Sequence, residues 1–127
     1  MQHASWGILF LLVMSLRVYW RATNLNPVHS YSIPGWQKFA AIFLHRMIYV
    51  VVITQSLFGL CNLLFAGRGI PLFGLFEIPS SMDKDELLSE ASKSIHYALS
   101  VVIYPLFAMH VSAAIYHQLF GVLDHEK

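Results

Sequence analysis

The sequence predicts an all-α membrane protein, a bundle of three transmembrane helices, and three observations support this fold class. Hydrophobic residues make up 57% of the 127-residue chain and charged residues only 12%, and the mean hydropathy is +0.58. Soluble domains average about 45–50% apolar and about 25% charged residues, so this chain has too little polar surface to cover a water-soluble globule. Three long apolar segments are separated by polar connections. Backbone groups in lipid must be paired within their own segment, which makes each segment a helix.

The three helices are predicted over about residues 4–20, 39–66 and 95–120 of a single domain that covers residues 1–127. A spanning helix needs roughly 20 mostly apolar residues, so the second and third are long enough and the first is near the lower limit. The first segment is not expected to be a cleaved signal peptide. No lysine or arginine precedes its apolar run, and Arg17 and Arg21 follow it instead.

The charges of the two connections differ and predict the orientation in the membrane. Four basic residues flank the first connection: Arg17, Arg21, Lys38 and Arg46. Five acids lie in or next to the second connection: Glu77, Asp83, Asp85, Glu86 and Glu90. The positive-inside rule then places the first connection and the C-terminus in the cytoplasm, and the N-terminus outside.

The second connection, residues 67–94, begins with glycines and aromatic residues and then becomes acidic. Phe73 and Phe76 suit a loop that lies among the lipid headgroups. Ser81 or Asp83 is expected to cap a short helix that leads into the third span.

Composition excludes several classes of function. The net charge is +1 and no block of basic residues is present, so nucleic acid is not an expected partner. The only cysteine, Cys61, lies in an apolar run, which rules out a disulfide framework or a cysteine metal site within one chain. Nothing resembles a nucleophile with its base, a phosphate-binding loop or a carboxylate pair. No catalytic residue is therefore predicted.

Histidines are the unusual feature, since seven of them nearly match the eight lysines and arginines combined. Ionisable residues inside a membrane are costly and by default mark function. His29 and His125 lie in polar stretches and are interpreted as solvated surface residues. His45 lies inside the second span, either as a functional group or as a histidine satisfied beside Arg46 near the headgroups.

The third span carries His96, His110 and His117. On a helix, His96 and His110 are ~21 Å apart along the axis and within about 40° of each other, and His117 is within about 20° of His110. Such a stripe suits two stacked haems, one per leaflet, because bis-histidine iron takes one imidazole from each of two facing helices. The spacing is too long for three or four ligands to converge on one zinc or copper ion. A proton relay stays open as an alternative.

These segments resemble the prokaryotic cytochrome b561 family over nearly the whole chain. "IHYALSVVIYPLFAMHVSAAIYHQLFG" is similar to the family's last helix, and "FGLFEIP" is similar to an element of the loop before it. "HASWGILFLLVMSLRVYWR" resembles the second helix, and "LHRMIYVVVITQSLFG" resembles the third.

The resemblance implies a four-helix fold that binds two b-type haems. It implies that His3 and His96 bind the outer iron and that His110 binds the inner iron, opposite a histidine of the first helix. It also places His117 close to a quinone site in the quinone-reactive branch of the family. His45 matches a third-helix histidine near a haem propionate or the inner haem. Arg17, Arg21 and Arg46 of the inner side either pair with propionates or anchor the helices under the positive-inside rule.

The departure from the family is that nothing here corresponds to its first helix. An N-terminal truncation is expected, which also accounts for an outside N-terminus with so short a leader. Two alternatives stay open for the partner of His110: a second copy or another subunit, or His45 as a substitute ligand.

The resemblance implies electron transfer between a quinone pool and a redox partner in a respiratory chain. The expected cofactors are one or two haems b, together with quinone. The expected partners are membrane lipid, quinone, a redox protein or a dehydrogenase or hydrogenase subunit, and a second copy of the chain. The expected location is the bacterial inner membrane, multi-pass. The alternative is a non-haem structural or assembly subunit whose histidines serve packing or proton relay.

Overall fold

The computed structural model describes residues 2–24 and 34–121, so His29 and His125 lie outside the described residues. Its elements are three helices and one small hairpin: α1 (Gln2–Thr23), α2 (Gly35–Phe65), β1 (Ile70–Leu72), β2 (Phe76–Ile78) and α3 (Glu86–Gly121).

All three helices are long and apolar enough to cross a membrane, which confirms the predicted fold class. Their 22, 31 and 36 residues correspond to lengths of roughly 33, 46 and 54 Å at about 1.5 Å per residue. The hydrocarbon core is about 30 Å thick. α2 and α3 are therefore longer than this core is thick.

The third helix is longer than predicted and its N-terminal cap is different. The acidic stretch before the third span is continuous with it, so there is no separate short helix there. The backbone N–H of Leu88 donates to Asp85 Oδ1 at 2.9 Å, which makes Asp85 the capping residue. The expectation of a cap at Ser81 or Asp83 is wrong, because the good helix formers from Glu86 onward begin only after Asp85. The helix continues through Pro105.

Burial is inverted relative to a soluble protein. Among the hydrophobic side chains of the described residues only Val52 is buried, whereas the buried polar ones are Ser5, Ser89 and Ser92. Large apolar and aromatic side chains such as Tyr104 and Trp20 face outward. A surface of this composition matches a hydrocarbon surrounding, in which burying apolar groups against each other gains little.

α2 is the central helix of the bundle, because it packs against both α1 and α3. Within the described residues the backbones of α1 and α3 make no direct contact. The hairpin end of the bundle comprises the start of α1, the end of α2, the start of α3 and the hairpin. The far end comprises Thr23, Gly35 and Gly121.

Polar contacts join α2 and α3 at the hairpin end. The side-chain amide of Asn62 donates to the carbonyl oxygen of Ser89 at 2.9 Å, and the Asp85 N–H donates to the Phe65 carbonyl at 2.9 Å. Neighbouring helices are therefore antiparallel, and α1 and α3 are parallel with their N-termini at the hairpin end.

The second connection contains a β-hairpin, where only a loop was expected. β1 pairs antiparallel with β2, with Pro71 opposite Glu77. The Leu75 N–H donates to the Leu72 carbonyl at 3.0 Å and closes a tight turn. Phe73 and Gly74, the central residues of that turn, have φ of 52° and 74°, as a type I′ turn requires. Gly74 readily adopts the positive φ of the second central position. This glycine is the sequence feature that indicates a tight turn, and the prediction of an irregular loop did not use it.

Candidate functional site

A cavity of about 860 Å³ lies in the gap between α1 and α3, with α2 as its floor. Its volume is near the upper end of the range of small-molecule sites, about 300–1,000 Å³. The lining is mainly apolar and includes Ile8, Leu11, Leu60 and Phe107. Four histidines also line it: His3, His45, His96 and His110.

The hairpin-end pair consists of His3 on α1 and His96 on α3, whose ring centroids lie 6.2 Å apart. The ring planes are inclined by 79°. The two side chains come from helices whose backbones do not touch, so they face each other across the cavity. His96 is half-buried and His3 is exposed.

The orientation of His96 is set by α2. Its Nδ1 lies 2.8 Å from the backbone carbonyl oxygen of Gln55. A carbonyl oxygen only accepts, so Nδ1 carries the proton and Nε2 keeps its lone pair. Metal-binding histidines are commonly held in this way, with the second ring nitrogen donating to a carbonyl or carboxylate.

Gly59 provides the space for the His96 ring. A Cβ at Gly59 would lie 2.9 Å from His96 Cε1 and 3.0 Å from Nδ1, which is too close for carbon contacts. The ring therefore packs directly on the backbone of α2, one turn after Gln55.

The side chain of Gln55 completes this surrounding. Its Nε2 donates to Ser100 Oγ at 2.7 Å and lies 3.4 Å from His96 Nε2. Ser100 Oγ itself donates to the carbonyl oxygen of His96 at 2.9 Å, so it can only accept from Gln55. Gln55 Oε1 is buried and has no hydrogen-bond partner among residues 2–24 and 34–121.

The far-end pair consists of His45 on α2 and His110 on α3, with ring centroids 5.2 Å apart and planes inclined by 72°. Arg17 and Arg21 of α1 line the cavity close by. Arg17 Nε donates to the hydroxyl oxygen of Tyr49 at 3.0 Å, which links α1 to α2 at this level.

Two residues of the sequence interpretation lie outside the cavity. His117 is exposed on α3 beside Tyr116, with ring centroids 5.7 Å apart, and it does not line the cavity. Arg46 is also exposed and does not line it, unlike Arg17 and Arg21.

The hairpin-end pair fits a metal held between two imidazoles. Two rings bonded to one ion from opposite sides, with metal–nitrogen bonds of about 2 Å, have centroids about 6 Å apart, and the observed value is 6.2 Å. The described residues contain no group of three or more His, Cys, Asp and Glu side chains that converges on one point. Two imidazoles would therefore share their ion with a group that brings its own ligands, as a porphyrin does.

The far-end pair fits less closely. Its rings are about 1 Å nearer to each other than two imidazoles on opposite sides of one ion, by the same bond lengths. His45 and His110 would have to separate before both could bind one iron.

Several residues around the histidines were not singled out from the sequence. Gln55 and Ser100 are polar residues inside apolar spans, and Gly59 is a glycine inside a helix. Polar residues in spans tend to contact other helices, and a helical glycine often marks a close approach. These sequence features indicate that Gln55, Ser100 and Gly59 contact another helix, but they do not indicate that the contact is His96.

Known proteins were compared with the chain. A family model described as prokaryotic cytochrome b561 matches residues 1–124. Cytochrome b561 homolog 1 of Escherichia coli strain K12 is 25% identical over 115 residues, which are 91% of this chain and 65% of that protein. Cytochrome b561 homolog 2 of the same strain is 25% identical over 125 residues, 98% of this chain and 66% of that protein. The chain thus spans slightly less than two thirds of the length of these curated relatives.

Proposed function

The chain belongs to the prokaryotic cytochrome b561 family, and we propose that it carries electrons across the bacterial inner membrane between a quinone pool and a redox partner. The family implies a b-type haem. When bound, such a haem supplies a one-electron centre whose potential is set by its axial ligands and its surroundings.

The observation that carries this proposal is the hairpin-end pair. His3 and His96 face each other across a largely apolar cavity at the separation expected for bis-histidine ligation. His96 offers Nε2 because its Nδ1–H is engaged by Gln55. A packing role alone would not require a half-buried imidazole to be held with its unprotonated nitrogen at the wall of a cavity.

Each part of the surrounding has a role in holding the group. Gln55 fixes the tautomer and rotation of His96, and Gly59 lets the ring lie on α2. The apolar lining excludes water, which strengthens electrostatic effects on the potential.

The far end is the proposed second site, with His110 and His45 as the ligands. Arg17 and Arg21 are cationic side chains next to it on the cavity wall. They suit the carboxylates of haem propionates, since guanidinium groups bind carboxylates with two parallel hydrogen bonds.

The proposed orientation puts the far end in the cytoplasm, together with the C-terminus. Arg17, Arg21, Lys38 and Arg46 all lie toward this end, as the positive-inside rule favours. His117, on the exposed surface of α3 toward the same end, is the proposed contact of the quinone. The proposed partner is a redox protein or a dehydrogenase or hydrogenase subunit, and a homodimer is the proposed assembly.

The experiment is a reduced-minus-oxidised absorbance spectrum of the full chain, expressed with haem supplied and purified in detergent. We expect an α-band of the b type, and we expect a soluble quinol analogue to reduce part of it. A helical, folded protein without such a band would contradict the proposal and favour a non-haem structural subunit. A band that the quinol leaves oxidised would contradict only the quinone part.

A further inference from the structure

We propose that Ser5 and the β-hairpin form a clamp that positions His3, so that Ser5 is a positioning residue of the hairpin-end site. The inference rests on the proposed function, because it assigns His3 the role of an iron ligand. Its content is separate: it says what holds that ligand in place. The clamp is defined by Ser5 together with Pro71 and Phe73 of the hairpin.

His3 needs support from outside its own helix. It lies in the first turn of α1, where backbone N–H groups lack partners within the helix and the end tends to fray. The backbones of α1 and α3 make no direct contact within the described residues. The position of His3 relative to His96 is therefore not set by packing of the two helices that carry them.

Ser5 supplies that support. It is 1% exposed, the lowest exposure among the buried side chains of the described residues. Its Oγ donates to the Pro71 carbonyl at 2.9 Å and accepts from the Phe73 N–H at 3.0 Å. One hydroxyl thus ties the start of α1 to the hairpin by two bonds, 66 and 68 residues away in sequence.

The β-hairpin side of the clamp has a defined geometry. Phe73 lies in the tight turn with φ of 52°, and its N–H donates to Ser5 of α1. The rings of Trp6 and Phe73 pack edge to face with centroids 5.1 Å apart. α1 and β1 are also in contact along this side.

The geometry couples the clamp to the ligand. Ser5 and His3 are two residues apart in the same helix, about half a turn. A shift or fraying of α1 at Ser5 therefore moves His3. Loss of the hydroxyl removes a hydrogen-bond partner of the buried Pro71 carbonyl and the partner of the part-buried Phe73 N–H, which favours such a shift.

The test uses Ser5→Ala in the full, haem-loaded chain, with Ser15→Ala as the matched control. Ser15 lies in the same helix and is exposed, and within the part of the chain that the structure describes its Oγ bonds only the Leu11 carbonyl of its own helix, at 2.7 Å. Carbon monoxide is added to the reduced proteins, because it binds ferrous haem only where an axial ligand has left. We expect a carbon monoxide difference spectrum from Ser5→Ala and none above that of the parent from Ser15→Ala.

A second variant and a second background keep the result interpretable. Ser5→Cys retains a group of similar size with weaker hydrogen bonding, and we expect a carbon monoxide signal between those of the parent and Ser5→Ala. In a His3→Ala background, adding Ser5→Ala should not increase the signal further. In the haem-free protein, hydrogen exchange of the Phe73 amide should be faster in Ser5→Ala than in Ser15→Ala.

The outcomes separate the two proposals. A parent without a b-type spectrum removes the proposed function, and the haem-free exchange experiment then tests the clamp alone. A parent with haem and a Ser5→Ala variant that excludes carbon monoxide as well as Ser15→Ala overturns the positioning role and leaves the function intact. A further increase of the carbon monoxide signal from Ser5→Ala in the His3→Ala background overturns the positioning role as well, since the effect would not pass through His3.

Discussion

The histidine pairs at the two ends of the cavity differ in ring separation and in how firmly their rings are held. At the hairpin end, the rings of His3 and His96 are 6.2 Å apart and His96 is fixed by Gln55 and Gly59. At the far end, the rings of His45 and His110 are only 5.2 Å apart. No hydrogen bond to either far-end ring is found in the part of the chain that the structure describes.

The difference shows that nearness of two ligands is not the same as preorganisation. At the hairpin end, a hydrogen bond sets the tautomer of the His96 ring, and the distance between the His3 and His96 rings leaves room for an ion. The far-end rings are closer but must move apart and be reoriented, which opposes binding. We therefore expect the two sites to respond differently to substitution, in haem content, stability and spectrum.

The largest effect is expected from His96→Ala, because it removes the oriented ligand of the hairpin-end pair. We expect complete loss of the haem at that end and retention of the haem at the far end, measured as haem per protein and as the remaining α-band. His117→Ala is the control, since His117 does not line the cavity. Unchanged haem content in His96→Ala would show that the ligand assignment is wrong.

A partial effect is expected from His45→Ala, which removes one ring of the far-end pair. Haem content at the far end should fall, and the hairpin-end haem should stay, because the two pairs lie ~21 Å apart along α3. Arg46→Gln is the neighbouring control, as its exposed side chain does not line the cavity. If far-end haem is retained in His45→Ala, its ligand opposite His110 comes from another copy or another subunit.

A smaller effect is expected from Gly59→Ala. The added methyl group would press on the His96 ring, which must move by a few tenths of an ångström and lengthen its bond to Gln55. Overpacking of this kind typically costs about 1–3 kcal/mol. We expect a lower melting temperature in detergent and weaker binding of the hairpin-end haem, measured by haem titration.

Gly35→Ala is the matched control for that substitution, because a Cβ there meets nothing within 4 Å among the described residues and the residue belongs to the same helix. Equal haem affinity in the two variants would contradict the role given to Gly59.

The smallest effect is expected from Ser100→Ala, which removes the Ser100 bonds to the Gln55 side chain and to the His96 carbonyl but leaves the bond between His96 Nδ1 and the Gln55 carbonyl intact. We expect a loss of stability of about 1 kcal/mol from the bond to Gln55, because a serine bond to the carbonyl four residues earlier adds little to a helix, and we expect unchanged haem content. Thermal melting in detergent and the haem spectrum measure both. Ser94→Ala serves as the control, since Ser94 is exposed and its side chain bonds, among the described residues, only the Glu90 carbonyl of its own helix. Loss of haem in Ser100→Ala would show that Gln55 acts on the ligand more directly than its backbone carbonyl does.

The helices were largely predictable, but their limits were less so. Hydropathy identified all three spans, since apolar content is read residue by residue. The start of α3 was missed because Asp85 caps it from within an acidic stretch, where several residues are able to cap. The hairpin was missed because strands of three residues carry almost no periodicity.

The candidate site was predictable in its residue types and not in its contacts. The spacing of His96 and His110 places both on one face, and the structure has both on the cavity wall. Nothing in the sequence indicated that Gln55 would orient His96, that Gly59 would receive its ring, or that Ser5 would bond the hairpin.

The sequence by itself determined that this chain forms three apolar helices and that imidazoles recur along the third. Both follow from local properties: hydrophobicity adds along a segment, and helical spacing needs only the 3.6-residue period. The tertiary structure decided which imidazoles face each other, which nitrogen of His96 carries the proton, and how the hairpin reaches α1. Those depend on groups far apart in the chain, such as Ser5 and Phe73, 68 positions apart, whose meeting is set by how the helices pack.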